Sequence, residues 1–149
     1  MPATFGDFLL PEQIKINEPM SNHTSFKIGG PADIFLEPYN IEQLQLVIKR
    51  CRQKNLPLTV IGSGTNVLVK DKGIRVVVVK IGHYFNSVKL DGDKVSAEAG
   101  IALSELVRFT ARHGLSGLEF AEGIPGSLGG AVVMNAGASD GEIRDVLVE

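Results

Sequence analysis

The sequence predicts two lobes that combine helices and strands, an α/β lobe first and an α+β lobe after it. In the first lobe a strand at 32–37, a helix at about 41–54 and a strand at 57–61 follow one another, an order that favours parallel pairing. The β-branched run at 74–81 is typical of a strand buried on both faces. In the second lobe Asp91-Gly92-Asp93 has the turn chemistry of a hairpin.

Local signals place the elements of the first lobe. The first 20 residues, with three prolines, read as an N-terminal segment with one short helix. Asn40 is predicted to cap the helix, with Gln43 reaching back in a capping box. The helix carries apolar residues at helical spacing, so its core-facing side is predicted to include Ile41, Leu44, Val47, Ile48 and Cys51. Residues 67–69 are predicted to continue the extended run after the second strand.

The second lobe is predicted to contain a hairpin of residues 87–90 and 94–98, followed by two helices. Ser104 can cap the first helix and Gly114 can end it. Gly126 and Ser127 suit the start of a helix over 128–134. Residues 142–149 resemble the beginning of another strand, and we therefore expect an N-terminal piece of a longer protein. The predicted divisions are a segment at 1–20 and subdomains at 21–82 and 83–149.

Composition excludes several classes of partner. The 149 residues carry a net charge of −2, and the 15 Lys and Arg residues are scattered, which argues against a nucleic-acid partner. No apolar run approaches the length of a membrane span, and no secretory signal is visible at the N-terminus. A single cysteine excludes an internal disulfide and a multi-cysteine metal site. The sequence predicts a cytoplasmic protein with no membrane partner.

Two glycine-rich stretches are candidates for ligand binding. Residues 123–137 include five glycines, and Gly126-Ser127 precedes the predicted helix, whose first N–H groups can face a flat or anionic ligand. Residues 62–66 follow a strand and offer successive N–H groups, as in a nest for a pyrophosphate. The Rossmann fingerprint fails here because Val67 stands where the third glycine belongs. From pattern alone, both stretches could instead be structural turns.

The sequence offers no catalytic constellation. Glu119 and Glu122 could pair only on a helix, which the flanking glycines disfavour, so solvated or backbone-capping carboxylates are the better interpretation. His23, His83 and His113 have no Glu or Cys at ligand spacing, so we expect no metal site. His113 is better placed to interact with a helix end. Catalysis then belongs to a cofactor or to residues outside this chain.

Several motifs together resemble one family. They are NHTSFKIGGPAD at 22–33, IGSGTNVLV at 61–69, AEAGIALSELV at 97–107 and GLSGLEFAEGIPGSLGGAVVMNAG at 114–137. In this order and spacing the chain resembles the N-terminal part of the UDP-N-acetylenolpyruvoylglucosamine reductases, over residues 20–149. The resemblance implies a two-subdomain FAD-binding fold of the vanillyl-alcohol oxidase type, truncated at the C-terminus, with the flavin between the subdomains. It also implies a reaction in which hydride passes from NADPH through FAD to an enolpyruvyl ether of a UDP-sugar.

The resemblance also implies the site residues. Residues 62–68 would lie along the FAD pyrophosphate and residues 123–131 near the ribityl chain and isoalloxazine ring. The residues concerned are Gly62, Ser63, Gly64, Thr65, Asn66, Val67, Leu68, Gly123, Ile124, Pro125, Gly126, Ser127, Gly129, Gly130 and Ala131. The family's proton-donating Ser, its assisting Glu and its substrate-binding Arg all come later than residue 149, so residues 1–149 alone are expected to be inactive. Ser139-Asp140 departs from the family's usual Tyr-Gly.

Two other functions stay open at the level of sequence. One is another FAD oxidoreductase of the same fold class, such as an oxidase with covalently attached flavin. These oxidases often have a histidine near the pyrophosphate turn, where this chain has none; His83 is the nearest downstream. The other is a non-catalytic nucleotide-binding module. A yellow preparation that releases intact FAD on denaturation favours the reductase.

Overall fold

The computed structural model describes residues 4–138 and 140–148. The chain divides into two compact units, Met1–Tyr84 and Phe85–Glu149. No helix in these described ranges is long and apolar enough to cross a membrane.

The first unit is built on a four-stranded sheet. Its strands are β1 (Ile14–Pro19), β2 (Pro31–Leu36), β3 (Leu58–Ile61) and β4 (Ile74–Lys80), in the order β1-β2-β4-β3. β4 is parallel to both of its neighbours, and β1 is antiparallel to β2. The predicted parallel pairing is confirmed. β1 was not predicted, because its sequence, IKINEP, contains polar residues and a terminal proline.

The sheet is covered on both faces, as the β-branched run predicted. One face of the core contains Ile34, Val77 and Val79, and the other contains Phe35 and Val78. Each fully buried aliphatic side chain of this kind contributes about 1.5–3 kcal/mol through loss of apolar surface to water. β2 and β4 therefore form the rigid centre from which the loops at the carboxyl ends of the strands project.

Helix α1 (Ile41–Gln53) packs Val47 and Cys51 into the first face of that core. Ile41, predicted to face the core, is 51% exposed, so that part of the prediction is wrong. Cys51 is 2% exposed, so the predicted position of this side chain is confirmed. Asn40 caps the helix, since its Oδ1 accepts a hydrogen bond from the Gln43 N–H at 2.9 Å. The predicted capping box is not formed, because the Gln43 side chain accepts from the N–H of Tyr39 instead.

The second unit contains the predicted hairpin, β5 (Val88–Asp91) and β6 (Lys94–Ala97), with Gly92 at φ 63° in the turn. Helix α2 (Leu103–Arg112) begins two residues earlier than predicted: Ala102 is its N-cap, so the assignment of Ser104 as the cap is wrong. Gly114 follows the helix at φ 69°, as expected for a helix end.

The chain ends with short elements. Helix α3 spans Leu128–Val133, and β7 (Gly137–Ala138) pairs with β8 (Gly141–Glu142). The predicted strand over 142–149 is wrong within the described residues. A 3₁₀ turn, Ile143–Asp145, takes its place because Ile143 is buried in the core of this unit while its N–H bonds to Ala136. Glu149 lies outside the described residues.

Candidate functional site

The first glycine-rich turn, residues 62–66, begins at the carboxyl end of β3. Ile61 is paired with Lys80 at the end of β4, and its carbonyl accepts a hydrogen bond from Ile81 N–H at 2.8 Å. The turns after β3 and β4 therefore start at the same edge of the sheet. In open α/β sheets ligands bind at this edge, outside the carboxyl ends of parallel strands.

Successive backbone donors in this turn point to an anionic ligand. In the described parts of the chain, the N–H groups of Gly62, Ser63 and Gly64 donate to no protein acceptor, whereas Thr65 and Asn66 have partners. Ser63 is exposed and Gly62 is half-buried, so these two donors lie near solvent, whereas Gly64 is buried. Such a run of N–H groups is the donor set of a phosphate-binding nest.

Gly64 has a left-handed backbone conformation, with φ 69°. A Cβ at this position would lie 1.9 Å from the carbonyl oxygen of His23. In addition, the Ser25 N–H donates to the Gly64 carbonyl at 3.0 Å. The protein's own backbone therefore requires glycine here, so replacing Gly64 tests the folding of the loop as well as ligand binding.

Residues 67–69 do not continue the strand, and that prediction is wrong. Val69 is buried, packing with Met20 in the core, and Val67 lies partly buried beside the same cluster. Leu68 is 68% exposed. The segment has irregular backbone because it turns from the end of β3 to the start of β4.

The second glycine-rich segment, 123–137, lies wholly in the second unit. Gly123 and Gly126 have positive φ angles of 83° and 133°, conformations that favour glycine. Ser127 is buried and is the N-cap of α3, accepting a hydrogen bond from the Gly130 N–H at 3.4 Å. The predicted helix start is confirmed.

The predicted donor surface at the N-terminus of α3 is wrong. The Leu128 N–H donates to Ile101 at 2.9 Å, and the Gly129 N–H donates to Ala99 at 2.8 Å. These bonds satisfy the first donors of the helix inside the unit. Around them Gly123, Pro125 and Gly130 are exposed, so the segment presents a surface of small residues rather than a set of free N–H groups.

Glu119 and the histidines considered from sequence have structural partners, whereas Glu122 is exposed. Glu119 Oε2 accepts from the Gly117 N–H at 2.6 Å, which confirms its backbone-capping role. His113 is the C-cap of α2, and its Nδ1 lies 2.8 Å from the Phe109 carbonyl oxygen. The His83 ring packs on Tyr84, with centroids 4.0 Å apart. Among the described residues no cluster of three His, Cys, Asp or Glu could hold a metal ion.

One buried contact near the first turn was missed from sequence. His23 Nε2 lies 2.8 Å from Glu18 Oε1, and the imidazole stacks on Phe35 at 4.0 Å between centroids. The side chains of His23 and Glu18 are 7% and 19% exposed. Recognising β1 would have placed Glu18 beside the loop, and the short apolar–polar alternation of residues 14–17 is the signal that could have found it.

A polar pocket lies at the end of the second unit, lined by Asn135 and the residues around β7 and β8. Asn135 Nδ2 donates to Glu142 Oε2 at 2.7 Å, and Asn135 Oδ1 accepts from the Arg144 N–H at 2.9 Å. Arg144 also forms an ion pair with Glu142. Of the two residues that depart from the family pattern, Asp140 is exposed and Ser139 lies outside the described residues.

The fold and the first turn define an FAD-binding protein. Residues 32–149 match the family model described as an FAD binding domain, and the chain belongs to that family. FAD is therefore the cofactor, and the predicted fold, of the vanillyl-alcohol oxidase type, is confirmed. The N–H groups of residues 62–64 fit its pyrophosphate, because they are successive, unused by the described chain and placed at the ligand-binding edge of the sheet.

Among the relatives are reductases of a single name. The UDP-N-acetylenolpyruvoylglucosamine reductase of Syntrophomonas wolfei is 57% identical over 149 residues, covering 100% of this chain and 50% of the relative. The protein of the same name from Alkaliphilus oremlandii is 52% identical over 134 residues, covering 90% of this chain and 44% of the relative. The chain thus spans about half the length of the curated relatives it matches.

Solved structures agree with this fold. The crystal structure of UDP-N-acetylenolpyruvylglucosamine reductase from Thermus caldophilus matches with a TM-score of 0.71 and 36% identity, covering 89% of this chain and 45% of that one. An alkyldihydroxyacetonephosphate synthase matches with a TM-score of 0.73 at 18% identity, over 99% of this chain and 32% of that one. At that identity the second likeness shows the fold alone.

Proposed function

We propose that this chain is the FAD-binding part of an NADPH-dependent reductase. The reductase would convert UDP-N-acetylglucosamine enolpyruvate to UDP-N-acetylmuramate, a step of peptidoglycan precursor synthesis. The observation that carries the proposal is the set of free N–H groups in the turn after β3, in a chain 57% identical to a reductase of this name. The expected location is the cytoplasm, with NADPH and a UDP-sugar as small-molecule partners.

We assign residues 62–68 to the FAD pyrophosphate. The N–H groups of Gly62, Ser63 and Gly64 would donate to its oxygens, and the fixed loop geometry would supply them without reorganisation. Residues 123–131 are assigned to the ribityl chain and isoalloxazine ring. The first N–H groups of α3 are already hydrogen-bonded within the second unit. This segment would therefore pack its small residues closely against the flavin.

The role of the described chain is to bind and orient. When bound, FAD supplies hydride transfer from NADPH to the enolpyruvyl group. No side chain of the described residues is assigned to proton transfer, because Glu119 and His113 are engaged by backbone groups. The acid–base groups and the substrate-binding groups are proposed to lie outside residues 1–149. The chemical step requires that the substrate be held close to the flavin in a reactive orientation.

The test is an NADPH oxidation assay on the full-length product of the gene, with mass spectrometry of the product. We expect NADPH consumption that depends on the enolpyruvyl substrate and yields the lactyl ether. UDP-N-acetylglucosamine, which lacks the enolpyruvyl group, is the matched control and should give no stimulation. The proposal is contradicted if the flavin-loaded protein oxidises NADPH at a rate that does not depend on the enolpyruvyl substrate. With residues 1–149 alone we expect no substrate-dependent consumption.

A further inference from the structure

The loop that supports the turn at 62–66 is held by one buried histidine. His23 lies in the segment between β1 and β2, and its side chain is only 7% exposed. On one side its Nε2 meets Glu18 Oε1 at 2.8 Å, in β1. On its face the ring stacks on Phe35 of β2, with an interplanar angle of 23°. Two strands of the sheet therefore fix the position of this side chain.

The backbone of the same residue touches the proposed pyrophosphate turn. Its carbonyl oxygen occupies the space that a Gly64 Cβ would need, at 1.9 Å from the ideal Cβ position. Two residues later, the Ser25 N–H donates to the Gly64 carbonyl at 3.0 Å. The turn thus rests on residues 23–25, and these residues are anchored to the sheet through the imidazole.

We propose that His23 is a positioning residue, which sets the geometry of the pyrophosphate turn through its bond to Glu18. The proposal rests on the assignment of residues 62–68 to the pyrophosphate. A hydrogen bond between two largely buried side chains holds its partners in a narrow range of positions, and leaving either group without its partner is costly. The N–H groups of the turn bind a phosphate well only when they converge on its oxygens. A shift of residues 23–25 would displace the turn and so weaken binding of the pyrophosphate.

Additional contacts support the rigidity of the anchor. Phe35 is fully buried, and the Lys15 ammonium lies 5.5 Å from its ring centroid. The His23 N–H donates to the Met20 carbonyl at 2.9 Å, and the Thr24 hydroxyl donates to the Ile28 carbonyl at 3.0 Å. The His23 Nδ1 is buried without a hydrogen-bond partner in the described chain. Glu18 is therefore the polar group that holds the ring.

The test compares His23→Phe, Glu18→Leu and Glu18→Gln by titration with FAD and with riboflavin, which has no pyrophosphate. His23→Phe keeps an aromatic ring on Phe35 but loses the bond to Glu18, and Glu18→Leu removes the acceptor. For both we expect the Kd for FAD to rise about tenfold. The Kd for riboflavin should change less than about twofold, because that ligand does not reach the turn. Glu18→Gln keeps an acceptor oxygen, so it should restore FAD affinity to within about twofold of wild type.

Asp7→Asn is the control, since it weakens the Asp7–Arg50 ion pair in the same unit without touching the loop. Equal losses for FAD and riboflavin, or a Glu18→Gln protein as weak as Glu18→Leu, overturn the positioning role. If His23→Phe does not fold, the comparison of FAD affinity between Glu18→Leu and Glu18→Gln tests the positioning role. A wild-type protein that binds riboflavin as tightly as FAD contradicts the pyrophosphate assignment itself, which separates failure of the proposed function from failure of this inference.

Discussion

Gly129 in α3 lies directly against Ala99. A Cβ built on Gly129 would be 2.9 Å from the Ala99 Cβ and 3.0 Å from its carbonyl oxygen, and the Gly129 N–H donates to that same oxygen at 2.8 Å. The helix is therefore joined to the segment after β6 through backbone contact. Glycine at this position is explained by close approach within the unit.

Gly129→Ala should lower the free energy of unfolding by about 1–3 kcal/mol, because the extra methyl group overpacks this contact. Gly130→Ala is the matched control: its Cβ would meet only Ser127 Oγ, at 3.4 Å. There alanine should be neutral or stabilise by up to about 1 kcal/mol through helix propensity. Urea denaturation of the flavin-free proteins measures both. Equal stability of the two variants contradicts the packing described for Gly129.

Elements with strong periodicity or turn chemistry could be predicted. Helix α1 carries an apolar stripe and a capping asparagine, and the hairpin has Gly92 in its turn, so local sequence decides both. β1 was missed because its apolar–polar alternation covers only residues 14–17, ahead of a charged residue and a proline, and because its pairing with β2 depends on tertiary contact. The positive φ of 102° at Val76 could not be predicted from local sequence either. There the Asp33 carboxylate accepts a hydrogen bond from the Val76 N–H at 2.8 Å.

The candidate site could be predicted only in part. The turn at 62–66 was visible because glycines and small polar residues follow a predicted strand; that strand, β3, is not buried as its apolar residues indicated, since Val60 is 60% exposed. The sequence did not show that the first N–H groups of α3 are hydrogen-bonded to the carbonyls of Ile101 and Ala99, since these bonds depend on how a distant segment packs. The anchor formed by Glu18 and His23 depended on the unpredicted strand.

A negative charge on the proposed pyrophosphate turn should weaken FAD binding. Ser63 is exposed in that turn, so Ser63→Glu can be accommodated without a steric clash in the core. Relative to Ser63→Gln, which has the same size and no charge, we expect the Kd for FAD to rise about tenfold at low salt. The difference should shrink as salt screens it. Flavin fluorescence titration measures the two values, and identical affinities would place the pyrophosphate elsewhere.

Cys51 should react slowly with thiol reagents in the native protein. It is 2% exposed, and burial raises the pKa of its thiol, so both access and the thiolate fraction are low. Labelling with dithiobenzoate reagent should be at least about tenfold slower than in denaturant. Arg52→Cys, at the exposed neighbouring position, is the control and should add one fast-reacting thiol. Rapid labelling of native Cys51 contradicts the orientation of α1.

Glu37 should contribute to stability at neutral pH and lose that contribution in acid. Its partial burial acts to raise its pKa, but Lys15 at 2.8 Å and Lys80 at 3.8 Å outweigh burial, so the pKa is lowered. Because the folded pKa lies below the unfolded one, the stabilisation is complete above the unfolded pKa and disappears as the pH falls through the folded pKa.

Glu37→Gln should therefore reduce the free energy of unfolding by up to about 1 kcal/mol at neutral pH, since the carboxylate is partly exposed. The difference from wild type should disappear between neutral and acidic pH, as the pH falls through the lowered pKa of Glu37. Denaturation curves across this range measure it. A difference that persists or grows in acid means that the ion pairs are not its source.

The most direct test of the FAD assignment is the absorption spectrum of the purified chain after addition of FAD and gel filtration. We predict that flavin absorbance co-elutes with the protein at about one FAD per chain, as expected for a preformed single site. Acid or heat denaturation should then release intact FAD; flavin that stays attached would indicate a covalent link. Flavin that elutes entirely at the position of free FAD, from a protein whose circular dichroism shows it folded, would contradict the account.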